Sequence, residues 1–292
     1  MSGFVRAGAR FGIMPALRRI GPAGVFFLYM GLMLVAPAAY LVWSSVTDDQ
    51  GAFTLRRYTE VLGDRLYLRG FQNSVLLSLL TAIEATLLGT VLAATLTFSR
   101  LIPFRTLLVT LTNVAAHLGG VSLAFAFIAL LGVNGMLTIF LREALGIGLY
   151  PEFNLVSLAG LNLVYVYFLT PFALLIVLPA FGGIRRHWVE AAATLGATRW
   201  QFWWHIGIPV MLPAVLAVFI LTFANAFGTY STAMALTVGR VNLMPLQIGF
   251  LFSEAAFDRE LADALSVLMI LITTACVVAY RLILRRTARW VG

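Results

Sequence analysis

The chain has 292 residues, 61% of them hydrophobic and 11% charged, with a net charge of +8 and a mean hydropathy of +0.95. A soluble domain of this size carries about a quarter of its residues as charges, so the composition excludes one and calls for a membrane. All 20 basic residues are arginine; with no lysine the chain has neither a P-loop, whose lysine meets nucleotide phosphates, nor Schiff-base chemistry.

Charges cut the chain into apolar runs. Between Arg19 and Asp48 lie 28 uncharged residues, and a membrane-spanning helix needs about 20. Arg-rich residues before this run and Ala36-Pro37-Ala38 within it imitate a signal peptide, but the apolar stretch continues into Val46 and reads as a retained helix. From Arg69 to Arg100 the one charge is Glu84, and further long runs separate Arg105 from Arg142, Glu152 from Arg185, and Arg199 from Arg240. The last run, Ala264 to Tyr280, is 17 residues, extended to Leu284 if Arg281 snorkels. The pattern predicts an all-α polytopic protein with helices near 23–46, 72–98, 106–131, 158–182, 209–236 and 262–284. An N-terminal segment 1–22 precedes a single six-helix domain over 23–292, with no internal repeat or low-complexity tract. Pro37, Pro171, Pro179, Pro209 and Pro213 mark expected breaks, as kinked packing or as hinges.

Several polar residues fall inside these spans. Glu84, mid-way along the second helix, is either a contact for a cationic substrate or a structural group bonded to Ser78, Thr81 or a neighbouring helix. His117 and Asn113, one turn apart in the third helix, read as a polar pair. In the fifth, Asn225, Gly228, Thr229 and Thr232 recur at i, i+3, i+4 and i+7, on one helical face. That face lines a translocation path or packs against a neighbour. Tyr230 and Phe227 add an aromatic surface suited to an ammonium group, or ordinary packing. The lone Cys276 excludes a disulfide framework and a cysteine zinc site, and the three histidines show no metal-ligand spacing.

The connection over 183–208 reads as two short helices joined at a bend. Glu190 to Leu195 are strong helix formers, and Gly196 suits the left-handed position past a helix end. Thr198 with Gln201 three residues on forms a capping box, and Pro209 fits the first turn of the following helix. Ala191 and Ala192 leave one face without bulk, while Trp200, Trp203 and Trp204 form a stripe suited to a membrane interface. An ordinary helix–glycine–helix connection would have the same outline.

Arginine bias sets the orientation. With both termini inside, the inner segments hold 13 arginines (6, 10, 18, 19, 100, 105, 185, 186, 199, 281, 285, 286, 289) against Glu190, and the outer loops 7 arginines against 10 acids. The 183–208 loop is then cytoplasmic. The positive charge faces the inner leaflet and needs no nucleic-acid partner.

Glu190-Ala191-Ala192, Gly196, Ile206 and Pro209, spaced E-A-A-x3-G-x9-I-x-[LI]-P, resemble the EAA loop of binding-protein-dependent ABC transporter permeases. Ile208 stands where that family more often has leucine, with similar volume. Leu131-Gly132-Val133-Asn134-Gly135-Met136 is similar to a turn in the polyamine, ferric-iron and sulfate group, and Thr222 to Tyr230 with Leu236-Thr237 to the fifth helix of spermidine/putrescine-type permeases. The resemblance covers roughly 72–285 and implies a type I importer permease of the MetI-like fold in a bacterial inner membrane. It implies no catalytic or metal residues and no cofactor on this chain, ATP and Mg belonging to a partner ATPase that docks on Glu190, Ala191, Ala192, Gly196, Ile206 and Pro209. Further implied partners are a second permease chain, a heterodimer being favoured over a homodimer, and an extracytoplasmic binding protein. Polyamine is the favoured substrate, with Glu84, Asn225, Thr229, Tyr230 and Thr232 as path residues. Ferric iron, sulfate, thiamine or aminophosphonate are the alternatives. Two other classes compete: an ion-coupled carrier, which usually shows repeats and several buried charges, and an intramembrane enzyme, for which no His-Glu-x-x-His or serine-elbow motif is present.

Overall fold

The computed structural model describes residues 13–48, 51–98, 102–184, 186–254, 256 and 258–291. Residues 1–12 of the expected N-terminal segment, and Arg6, Arg10, Asp49, Arg100 and Arg185 of the charge bias, lie outside them. In chain order the helices are α1 (Ile13–Ser45), α2 (Arg56–Gly63), α3 (Arg65–Phe98), α4 (Ile102–His117), α5 (Gly120–Leu131), α6 (Met136–Leu145) and α7 (Leu158–Gly182). They continue with α8 (Arg186–Thr194), α9 (Arg199–Phe202), a π-turn over Trp203–Gly207, α10 (Ile208–Gly228), α11 (Ser231–Thr237), α12 (Met244–Leu251) and α13 (Arg259–Val291). Among the described residues the one β-type pairing is an isolated bridge between Thr47 and Phe53.

The fold is all-α. Six apolar helical segments are long enough to cross a membrane: Gly24–Ser45, Arg65–Phe98, Gly120–Leu145, Leu158–Gly182, Arg199–Gly228 and Arg259–Ile283. Two expected helices differ in ways that matter. The span expected over 106–131 is interrupted at Leu118–Gly119, where Gly120 takes the left-handed conformation (φ +73°). Crossing length is recovered by α5 and α6 together, and α4 is a separate, shorter helix. The span expected over 209–236 ends at Gly228, because Thr229 is extended (φ −76°, ψ 110°) and α11 starts afresh. Pro171 and Pro179 lie inside α7 and Pro213 inside α10 without ending those helices. Freed carbonyls at such prolines are re-satisfied within a bundle; the interruptions come at glycines.

α3 is the central packing element, and small residues let α7 approach it. Ala85, Gly89 and Ala93 recur every four residues and are buried, the small-xxx-small spacing that brings helix backbones together in a membrane. Around this contact Leu77, Leu161, Val164, Tyr165 and Leu169 form one core cluster with residues of α5 and α11. A second core joins Val61 of α2, Phe227 of α10, Met244 and Leu251 of α12, and Leu261 and Leu265 of α13. α1 stands at the edge, leaning chiefly on α13, with its apolar side chains turned outward. In a membrane these meet lipid or another chain.

A Cβ added at Gly89 lies 2.8 Å from both the Cβ of Ala173 and the backbone nitrogen of Leu174. Overpacking of this kind costs about 1–3 kcal/mol, more than the roughly 1 kcal/mol that alanine gains over glycine inside a helix. Gly89→Ala should therefore lower the thermal unfolding temperature of the purified protein. Gly31→Ala on α1, where nothing lies within 4 Å, should leave it unchanged or raise it. Equal shifts in the two variants would contradict the close α3–α7 approach.

Candidate coupling loop and membrane polar network

α8 ends in a fully capped turn. The amide of Ala197 donates to the carbonyl of Ala192 and that of Gly196 to Ala193, both at 3.0 Å. With Gly196 left-handed (φ +77°), these are the two bonds of a Schellman motif. Thr198 immediately caps the next helix: its Oγ1 accepts from the amide of Gln201 at 3.3 Å, and the Gln201 side chain accepts from the amide of Thr198 at 2.8 Å. A single residue, Ala197, separates the two caps, so α8 and α9 form a hairpin with little freedom at the bend. Pro209 lies in the first turn of α10, as its position in the sequence implies.

The hairpin encloses an apolar groove of about 490 Å³, walled by Ala191, Ala192 and Leu195 on one side and Phe202, Ile206 and Val210 on the other. Ala191, Ala192 and Ile206 thus meet in one place. Glu190 is exposed and has no ion-pair or side-chain hydrogen-bond partner among the described residues. Its own carbonyl accepts from the Thr194 hydroxyl at 3.0 Å.

The three tryptophans do not act alike. Trp200 and Trp204 stack at 5.9 Å and face outward, 73% and 60% exposed. Trp203 turns inward, edge-on to Phe98 at the end of α3 (5.4 Å), and Phe98 meets Phe181 at the end of α7 (6.0 Å). Trp200 and Trp204, four residues apart, share one helical face while Trp203 lies on another, and Gly207 leaves room for the Trp203 ring. Phe98 and Phe181 are not distinguishable in the sequence from other apolar residues at helix ends. The second short helix of the expected pair continues without a break through the π-turn into α10, so the hairpin is an extension of that long helix.

Within the bundle, Glu84 is exposed on α3 and bonded across to α7. The Asn162 amide donates to Glu84 Oε2 at 2.8 Å, and Asn162 Oδ1 accepts from the Thr81 hydroxyl at 2.7 Å. Ser78 turns away and donates to the carbonyl of Ser74 at 2.6 Å. Asn162 is the network's centre, and its signal in the sequence was a lone amide in an apolar helix. The expected His117–Asn113 pair does not form between side chains. His117 Nδ1 lies 2.7 Å from the backbone carbonyl of Asn113, and the Asn113 amide donates to the carbonyl of Val109 at 2.9 Å. His117 sits in the last turn of α4.

The expected stripe of Asn225, Gly228, Thr229 and Thr232 is divided by the end of α10. Asn225 and Gly228 are exposed, whereas Thr232 is fully buried and accepts from the amide of Gly120 at 3.0 Å. Thr229 donates to the Asn225 carbonyl at 2.7 Å, and the Thr229 carbonyl accepts from the Tyr165 hydroxyl at 3.1 Å. Tyr230 packs its ring on the backbone of Gly249 and remains 42% exposed. Thr232 and Tyr165 therefore close the two chain breaks at Gly120 and Thr229. Asn225, Gly228 and Tyr230 are left open. No group of three or more His, Cys, Asp or Glu placed to hold a metal occurs among the described residues.

The chain is similar to transport permeases throughout. Sulfate transport system permease protein CysW of Synechococcus elongatus is 27% identical over 81% of this chain and 78% of its own. Spermidine/putrescine transport system permease protein PotB of Haemophilus influenzae is 26% identical over 85% and 87%. A bacterial alginate ABC transporter, solved in complex with an alginate pentasaccharide-bound periplasmic protein, superposes with a TM-score of 0.70 at 16% identity over 94% of this chain and 98% of that one, and so shares the fold. The profile of the binding-protein-dependent transport system inner membrane component family matches residues 74–291, a stretch that takes in the α8–α9 hairpin, the Glu84 network and all but the first crossing segment, and the chain belongs to that family as a multi-pass permease subunit of an ABC importer.

Proposed function

We propose that this permease forms half of a translocation pathway and docks on a separate ATPase through the 183–209 segment. The observation that carries the reading is the capped α8–α9 hairpin, with Glu190 exposed beside an apolar groove and Trp203 seated on Phe98 and Phe181. A rigid element continuous with a long membrane helix can transmit rigid-body motion of a docked partner. The groove admits apolar side chains, and Glu190 offers a carboxylate to an arginine or backbone amide. ATP and Mg are held by the partner, since this chain has no lysine for a P-loop. A second permease chain completes the pathway, in preference to a second copy of this one, and the complex of the alginate transporter with its periplasmic protein supports a binding protein on the far side.

A polyamine-type cation is the substrate we favour. Glu84, exposed within a span and oriented by Asn162, supports it, as does the open ring of Tyr230. The similarity to a sulfate permease supports an oxyanion instead. Titrating the partner binding protein with spermidine and with sulfate separates these, and selective capture of sulfate would overturn the polyamine reading.

The charge bias places both termini and the hairpin on the cytoplasmic side. On a Cys276→Ser background, His187→Cys should react with an impermeant thiol reagent only from the cytoplasm and Arg240→Cys only from outside. The reverse pattern would invert the topology.

Glu190→Arg should leave membrane abundance unchanged and lower substrate uptake and substrate-stimulated ATPase activity together, by about tenfold for one lost charge-assisted contact. Gly196→Val should do the same, since a β-branched residue in the left-handed region costs upwards of about 1–2 kcal/mol. No neighbour lies within 4 Å of a Cβ there, so the effect acts through the bend alone. Normal coupling in both variants would reduce the hairpin to a connection.

A further inference from the structure

Trp200 and Trp204 head an exposed ridge that runs from α9 through the π-turn into α10. Trp200, Trp204, Ile208, Leu212 and Leu216 follow at four-residue steps, the spacing of a ridge on a helix surface, and each is between 42% and 73% exposed. Phe202, Ile206 and Val210, which wall the groove of the hairpin, lie two residues on from the first three, about 200° round the helix. The ridge and the groove are therefore separate surfaces. Every member of the ridge is large. Where this chain packs helix on helix within the span, at Ala85, Gly89 and Ala93, the contact uses small residues. A ridge with none of them suits lipid.

The order of residues along the ridge gives its depth. The crossing segment Arg199–Gly228 has 30 residues, about 45 Å at 1.5 Å per residue, the thickness of a bilayer with its headgroups. With the midpoint between Pro213 and Ala214 at the bilayer centre, the three aliphatic members fall within the hydrocarbon. Trp204 then comes about 14 Å from the centre and Trp200 about 20 Å, on either side of the hydrocarbon boundary at about 15 Å. The two indoles stack with their planes 17° apart. Arg199, next to Trp200, is exposed and has no ion-pair partner among the described residues. We propose that Trp200, Trp204 and Arg199 dock the root of the α8–α9 hairpin on anionic phospholipid of the cytoplasmic leaflet. The indole rings lie among the glycerol and upper acyl groups, their N–H edges donate to lipid oxygens, and the Arg199 guanidinium meets a lipid phosphate. The groove on the other side of the helix stays free for the ATPase. The choice of leaflet rests on the cytoplasmic placement of the hairpin, which the His187→Cys and Arg240→Cys labelling tests separately.

The test uses the assembled transporter in vesicles of phosphatidylcholine and phosphatidylglycerol. On a Cys276→Ser background, nitroxide labels at Ile208→Cys and Leu212→Cys should collide freely with oxygen and be shielded from a water-soluble nickel chelate. The tryptophan emission that is lost in Trp200→Phe/Trp204→Phe should be quenched by lipid brominated high on its acyl chain. Brominated phosphatidylglycerol should reach half-maximal quenching at about one fifth the fraction of brominated phosphatidylcholine, the ratio expected of one arginine at an anionic surface. Arg199→Gln should make the two lipids equal and leave the quenching itself in place. Soluble glycerol phosphate should not reduce the preference. Labels shielded from oxygen as well as nickel would assign the ridge to a protein subunit and overturn the proposal, whether or not the double tryptophan variant folds. So would equal quenching by the two lipids in the wild type, an unchanged preference in Arg199→Gln, or competition by glycerol phosphate, which would assign Arg199 to a soluble anion. Lipid-exposed labels combined with inverted His187→Cys labelling would move the ridge to the outer leaflet and overturn the cytoplasmic placement alone.

Discussion

Inside a bilayer no water is present to satisfy a broken backbone hydrogen bond, and each unsatisfied group costs several kcal/mol. This constraint decides where the chain interrupts its helices and which residues must stand beside each interruption. At Gly120 the orphan amide is taken by the Thr232 hydroxyl, and at Thr229 the orphan carbonyl is taken by the Tyr165 hydroxyl. The acceptor at Gly120 comes from α11 and the donor at Thr229 from α7, so each break is closed by a different helix, and the breaks themselves tie α5, α7, α10 and α11 into one unit. The hydroxyls of Thr232 and Tyr165 are accounted for by the backbone before any substrate is considered.

The same rule operates at the α8–α9 hairpin with the opposite outcome. There the chain ends are capped by their own local groups, through the Gly196 motif and the Thr198–Gln201 box. No residue of the bundle is needed to hold the bend, which leaves its outer face and the apolar groove open to another protein. What the bundle does hold is the root of the hairpin, where Trp203 meets Phe98 and the latter meets Phe181. The hairpin is capped at its tip and, at its root, joined to α3 and α7 through two aromatic contacts, the geometry that the proposed coupling uses.

The local chemistry of the hairpin was fully legible in the sequence because every determinant lies within a few residues: glycine past a helix end, a threonine three before a glutamine, a proline in a first turn. The six apolar crossings were legible for a similar reason, as runs of uncharged residues. The helix breaks were not. Asn225 to Thr232 keeps an unbroken helical periodicity, and only the distant Tyr165, 64 residues away in sequence, shows that the ladder stops at Gly228. Prolines do not mark these ends, since Pro171, Pro179 and Pro213 lie inside their helices. Asn162 is not legible in the sequence because its role depends on facing Glu84 across α3 and α7, a relation that no single segment records.

Charge placement follows one further physical distinction. Arg57 is buried and paired, so removing Glu260 would strand it away from water, whereas Glu260 is 45% exposed; the pair fixes the geometry of α2 against α13. Glu190 is exposed and unpaired among the described residues, so it carries no desolvation penalty until something docks on it. Asp263 lies between these cases, buried like Arg57 yet with one oxygen unmatched like Glu190. A charge that is both desolvated and incompletely paired is unstable as it stands. The physical argument that makes Arg57 structural and Glu190 available therefore sets Asp263 apart as a buried carboxyl with one oxygen unmatched among the described residues, as the Gln247 side-chain oxygen also is.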